Sequence, residues 1–190
     1  MSKKIMFNDK FGLTQAVLDG RKTMTRRISE DQIRNSIFCK SGYESIHGYE
    51  IKPKYKVGEV VAIAQSYESV YNEKGLETMD MLVSWLKNHK GWQNKLFVAA
   101  GYMIHHIRIT DIKIERLQDI SDEDCMKEGI IHAYTNNNGI KIYHTPHTKR
   151  GYLSTDVAQE AFAFLINKVS GKGTWESNPY VFVYEFKLID

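Results

Sequence analysis

"GYMIHHIRITDIKIERL", residues 101–117, alternates apolar and polar side chains as a β-strand does, because successive residues of a strand face opposite ways. Ile107 and Ile109 share one parity, whereas Ile112 and Ile114 take the other. A switch of parity around Thr110 and Asp111 is what a β-bulge or sharp bend produces, and small closed sheets need such corners. The stretch therefore predicts a long, bent strand and a curled sheet around it.

The flanking segments supply partners for that strand. "NPYVFVYEFKLI" near the C-terminus puts Tyr180, Phe182, Tyr184, Phe186 and Leu188 on one strand face. "KKIMF" reads as a short first strand, and "EVVAIAQSY" as a strand buried on both faces. "HAYTNNNGIKIYHT" has two β-prone arms around Asn-Gly and predicts a hairpin. Helical spacing appears from Phe11 to Leu18, ending at Gly20, and over residues 76–90, where Met79, Leu82, Val83 and Leu86 form one stripe before Gly91. "ISDEDCMKEGI" offers Ser121 as N-cap, Asp124 at the capping-box position and Gly129 as terminator. Thr155 or Asp156 is the expected cap of a helix carrying Val157, Phe162, Leu165, Ile166 and Val169. Residues 29–54 read as an ordered loop with one short helix. The fold class this predicts is α+β: a small, bent, mainly antiparallel β-barrel with peripheral helices.

Composition narrows the function classes. The 190 residues are 42% hydrophobic and 12% aromatic, enough for a real core in a single domain and unlike a disordered chain. The net charge of +3 falls short of the excess carried by general nucleic-acid coats, so any nucleic-acid role has to come from a local patch. Cys39 and Cys125 form no CxxC pair, which favours a reducing cytoplasm. "MSKKIMFNDKFGL" has no sustained apolar run, and "LFVAAGYMI" is too short to span a bilayer, so no membrane association is expected.

The chemistry-bearing stretch is "GRKTMTRR", residues 20–27. Its bland reading is a solvated basic turn at a helix end, where the macrodipole favours Lys22. In the sharper reading the chain turns after Gly20, Lys22 meets Thr25, and a partly desolvated amine acts as base toward the hydroxyl. Glu128 is a second anomaly, a carboxylate in the last turn of a short helix, where the dipole penalises it. Position 26 is arginine where an apolar strand residue would be unremarkable. His105, His106, His144 and His147 lack metal-ligand register, so no metal is expected, and neither a P-loop nor a Gly-x-Ser-x-Gly elbow is present. Tyr67, Trp175 and Tyr180 are candidates for stacking on a base, although aromatics in strands more often serve packing.

Taken together, "DGRKTMTRR", "YKVGEVVAI", "ITDIKIERLQDISDEDCMKEGI" and "GTWESNPYVFVYEF" resemble the ASCH domain of the PUA-like superfamily. Gly20, Lys22, Thr23, Thr25 and Arg27 fit its Gly-x-Lys-Thr-x-Thr-x-Arg pattern, and Gly58 and Glu59 fit the turn before a barrel strand. The resemblance implies a small bent barrel spanning residues 1–190, with insertions near 29–54, 68–100 and 131–154. It also implies a cleft for RNA or a modified nucleoside, with no cofactor. Compact relatives known as N4-acetylcytidine amidohydrolases use a lysine, a threonine and a glutamate; carried over, these are Lys22, Thr25 and Glu128. Arg21, Thr23, Arg26, Arg27, Tyr67, Trp175 and Tyr180 are then substrate-binding candidates. Three readings stay open: an amidohydrolase acting on an N4-acylated cytosine nucleoside, a non-catalytic RNA or modified-base binding module, and a metal-independent ribonuclease.

Overall fold

The computed structural model describes residues 3–28, 36–39, 42–45, 52–74, 80–146 and 151–189. The chain enters with β1 (Lys4–Ile5) and a 3-10 turn capped by the Asn8 side chain. α1 (Leu13–Leu18) buries Leu13, Ala16 and Val17, one i, i+3, i+4 face. Gly20 ends this helical stretch: at φ 70° it takes a left-handed turn that L side chains resist, and the Lys22 N–H returns to the Ala16 carbonyl at 2.8 Å. β2 (Met24–Arg27) leaves from that turn.

β3 (Ser36–Cys39) pairs antiparallel with β4 (Gly42–Ser45), where the sequence reading has a loop with a helix. The β-prone Ile37, Phe38 and Tyr43 outweigh the polar composition there, and the rest of 29–51 lies outside the described residues. β5 (Val60–Ile63) is shorter than the predicted strand, because Ser66 starts α2 (Tyr67–Lys74): its hydroxyl accepts the Ser69 N–H at 3.1 Å. α3 (Asp80–Lys87) is the core of the helix expected over 76–90, and it ends before Gly91; Met79 lies outside the described residues.

β6 (His106–Arg116) is the long strand of the opening stretch, followed by α4 (Asp122–Lys127), with Ser121 Oγ accepting the Asp124 N–H at 3.1 Å. β7 (Ile131–Thr135) and β8 (Lys141–His144) make the expected hairpin, and β9 (Ser154–Thr155) pairs with β8 to complete a three-stranded sheet. α5 (Ala158–Ser170) begins at Val157 without a side-chain cap, contrary to the reading of Thr155 or Asp156. Thr155 Oγ1 instead donates to Glu160 and accepts the Val157 N–H, a local turn one step earlier. β10 (Tyr180–Leu188) follows.

Five strands form one sheet in the order β1-β5-β6-β10-β2, parallel between β1 and β5 and antiparallel elsewhere. Ile109 pairs with Phe186 and Asp111 with Glu185, so Thr110 is the extra residue of a bulge, at the position where the parity switches. Ile107 and Ile109 are fully buried before the bulge, while Ile112 and Ile114 pack half-buried after it. β10 lies between β6 and β2 with Val181, Phe182, Val183, Tyr184 and Phe186 all buried. α5 adds Ala158, Ala161, Phe162, Leu165 and Ile166 to the same core, whereas Val157 and Val169 of the predicted stripe are exposed. Cys125 of α4 is fully buried, and burial pushes its thiol up to about 12. The architecture is mixed α+β, and no described helix is long and apolar enough to cross a membrane.

Candidate active site

β2 is an edge of the five-stranded sheet, so side chains from both of its faces can reach a hollow running along that edge. The hollow measures about 600 Å³. Its walls come from the segment after β1 (Met6, Phe7, Asn8), from α5 (Phe162, Leu165, Ile166, Val169) and from the turn before β10 (Thr174, Ser177, Pro179). Lys22, Thr25, Arg26, Arg27 and Glu128 supply its polar groups. The hollow thus combines apolar walls with several convergent polar groups, as small-molecule sites do, and its lining is more polar than apolar.

The turn at Gly20 explains why Lys22 and Thr25, three residues apart, share one hollow. Lys22 precedes β2 and escapes its alternation. The end of α4 is fastened to the same segment, since the Thr23 N–H donates to the Lys127 carbonyl at 3.0 Å. Gly129 permits the close approach: a Cβ there would lie 3.3 Å from Leu13 Cδ2 and 3.9 Å from Lys22 Cδ. Lys22 Nζ then donates to the Glu128 carbonyl at 2.8 Å and to Glu128 Oε2 at 2.5 Å, with the two residues only 2% and 5% exposed. An ammonium has three donors, so one remains for the hollow. Burial lowers the Lys22 amine below its ordinary value of 10.5, the Glu128 carboxylate pulling the other way. No hydrogen bond among the described residues joins Thr25 to Lys22 or Glu128, so the hydroxyl is in the hollow without being engaged by the amine.

Glu128 is the C-cap of α4, and the dipole penalty it incurs is offset by two buried cations. The second is Arg26, whose Nη1 lies 3.3 Å from Glu128 Oε1. Its Nη2 reaches Glu115 Oε1 at 2.5 Å and Asp124 Oδ2 at 3.1 Å. Arg26 is thus the hub of a buried network tying β2 to β6 and α4, and Lys113 joins it through Glu115 and Asp124. Burial alone would raise the Asp124 carboxyl; the Lys113 and Arg26 hydrogen bonds prevail and hold it below the usual range. Sequence reasoning missed Glu115, Asp124 and Lys113, and treated Arg26 as a ligand contact. The one available signal was a charge at strand position 26; its partners are 89 to 102 residues away.

The other candidates divide. Arg27 lies over the Phe7 ring at 5.6 Å and donates from Nη2 to the Met6 carbonyl, while its buried Nε has no partner among the described residues. Arg21 is exposed and paired with Asp19 at 2.8 Å, away from the hollow. Thr23 contributes only backbone, to Lys127 and Phe186. Tyr67 packs edge-on against Tyr102 and His89 in a separate cluster, and Trp175 packs against Phe162. Tyr180 lies under the Arg116 guanidinium at 3.8 Å and lines a neighbouring hollow rather than this one. Among the described residues no group of three His, Cys, Asp or Glu could hold a metal ion; His147 lies outside them.

No family model and no curated protein matches the chain. Among solved structures, it is similar to a protein from Enterococcus faecalis V583 with the family label DUF984, at 13% identity and a TM-score of 0.46, covering 100% of this chain and 82% of that one. It is also similar to an ASCH domain from Lactobacillus crispatus JV V101, at 12% identity and a TM-score of 0.41, covering 98% and 78%. At these values neither neighbour bears on the chemistry, which rests on the residues themselves.

Proposed function

We propose that the chain is an ASCH-type module that takes a modified cytosine nucleoside into the β2 hollow and hydrolyses its N4-acyl amide. The observation that carries the reading is the buried Lys22–Glu128 pair lining one hollow with the Thr25 hydroxyl. Thr25 Oγ1 attacks the acyl carbon and its proton passes to neutral Lys22 Nζ, an amine that burial brings nearer to neutrality. We assign the oxyanion that forms to the guanidinium of Arg27, which lines the hollow. Collapse breaks the C–N bond, and the lysine proton goes to the departing N4 amine; water, deprotonated by Lys22, then attacks the acyl carbon, the C–Oγ1 bond breaks, and the lysine proton returns to Thr25 Oγ1 as the carboxylic acid leaves. Glu128 holds Lys22 in place throughout. We also take the sheet to be a nearly closed barrel, its β1 and β2 edges bridged where Arg27 reaches the Met6 carbonyl.

Incubation with N4-acetylcytidine should release cytidine and acetate. Thr25→Ala and Lys22→Ala should each lower kcat/KM by about a hundredfold or more, the scale of losing a nucleophile or its base. Full activity in both variants would remove the assignment. Within this hollow the arginines form no phosphate clamp, because Arg21 and Arg26 are engaged by carboxylates and Arg27 Nη2 by the Met6 carbonyl.

A further inference from the structure

Beside the candidate active site is a second hollow of about 500 Å³, and Thr174, Ser177 and Pro179 line both. Its far wall is cationic. The Arg116 guanidinium carbon lies over the Tyr180 ring at 3.8 Å, and its Nη1 donates to the Asn178 carbonyl at 3.2 Å, which leaves its other N–H groups available. Lys172 lines the same hollow, and among the described residues no carboxylate pairs with either cation. The turn that carries Lys172, "GKGTWESNP" at 171–179, contains one carboxylate, Glu176, and the Asn167 amide donates to both of its oxygens at 3.2 Å. Gly171 and Gly173 have φ of 110° and 87°, and no acceptor among the described residues takes the N–H groups of Lys172 and Gly173. The Thr174 and Ser177 hydroxyls donate to carbonyls within the turn, at 2.7 and 2.8 Å, and stabilise its shape. Backbone donors without an acceptor, at a glycine turn that lines one hollow with a guanidinium and an ammonium, are the parts of an anion cradle.

We propose that this second hollow is a phosphate subsite, so that the ligand is a nucleoside phosphate, free or within RNA, with its base in the first hollow. The proposal rests on the nucleoside reading for the identity of what the phosphate is attached to. The cradle itself rests on Arg116, Lys172 and the 171–173 backbone.

The test compares N4-acetylcytidine with its 5′- and 3′-monophosphates. One of the two phosphates should lower KM by about tenfold, the worth of one or two charge-assisted hydrogen bonds. In Arg116→Ala/Lys172→Ala that advantage should vanish while KM for the unphosphorylated nucleoside is unchanged. Equal KM values for all three compounds, or an advantage that survives the double variant, would overturn the proposal. A binding arm keeps it separate from the hydrolysis: inorganic phosphate, cytidine monophosphate and a short single-stranded RNA are titrated while the Lys172 and Gly173 amide resonances are followed. Shifts that saturate support the subsite even if no amide is hydrolysed, and tighter binding of the RNA identifies the polymer as the source of the phosphate. Silence of both amides with all three probes overturns it.

Discussion

Burial and the Glu128 carboxylate act on Lys22 in opposite directions, and burial prevails. Burial holds the amine below 10.5 in the folded chain. Between that lowered value and 10.5 the unfolded chain carries a proton that the folded chain has released, so stability rises with pH across the window. Urea midpoints measured up to 10.5 should show this rise in the wild type and lack it in Lys22→Met. A rise identical in both would mean that Lys22 titrates as an exposed lysine does. The residues proposed to carry chemistry stood out in the sequence where they broke a local rule. A carboxylate at a helix C-terminus and lysine and threonine just past a helix-ending glycine announced Glu128, Lys22 and Thr25. Arg26 stood out as an odd charge and as a ligand contact rather than as a hub, because a hub is defined by partners that no local pattern contains.

At the level of elements, α4 matters out of proportion to its six residues. It is too short to be stable alone, so its position depends on its ends. Ser121 caps one end, and the other is fastened by the Thr23 to Lys127 bond and the Lys22–Glu128 pair. Ser121→Ala should cost about 1 kcal/mol in chemical denaturation. The cap was readable as Ser-Asp-Glu-Asp ahead of an apolar residue, and the bulge in β6 was readable as a change of parity at Thr110. The start of α2 was not, because the apolar run from Val60 to Ala64 continues almost to Ser66 and conceals a cap. Likewise β3 and β4 were hidden under a polar composition, in which three β-prone residues decided the pairing.

Across the whole molecule, the Arg26 network joins elements that the chain separates widely: β2 near one end, β6 and α4 in the middle. Arg26→Ala would leave Glu115, Asp124 and Glu128 facing one another with one cation fewer. The loss expected for breaking such a buried cluster is roughly 3–5 kcal/mol, read as a lower urea midpoint and a lower Tm. A change below about 0.5 kcal/mol, usual for surface sites, would show that the network is dispensable. The sheet order could not have been read from the sequence, since alternation identifies strands and leaves their neighbours open. One further consequence concerns Cys125, sealed beside this network with its proton held to about 12. Alkylating reagents attack thiolates, so they can reach this sulfur only in molecules that have momentarily come apart around it. The mass gained with time by the peptide carrying Cys125 is therefore a clock for how often the packing around α4 opens.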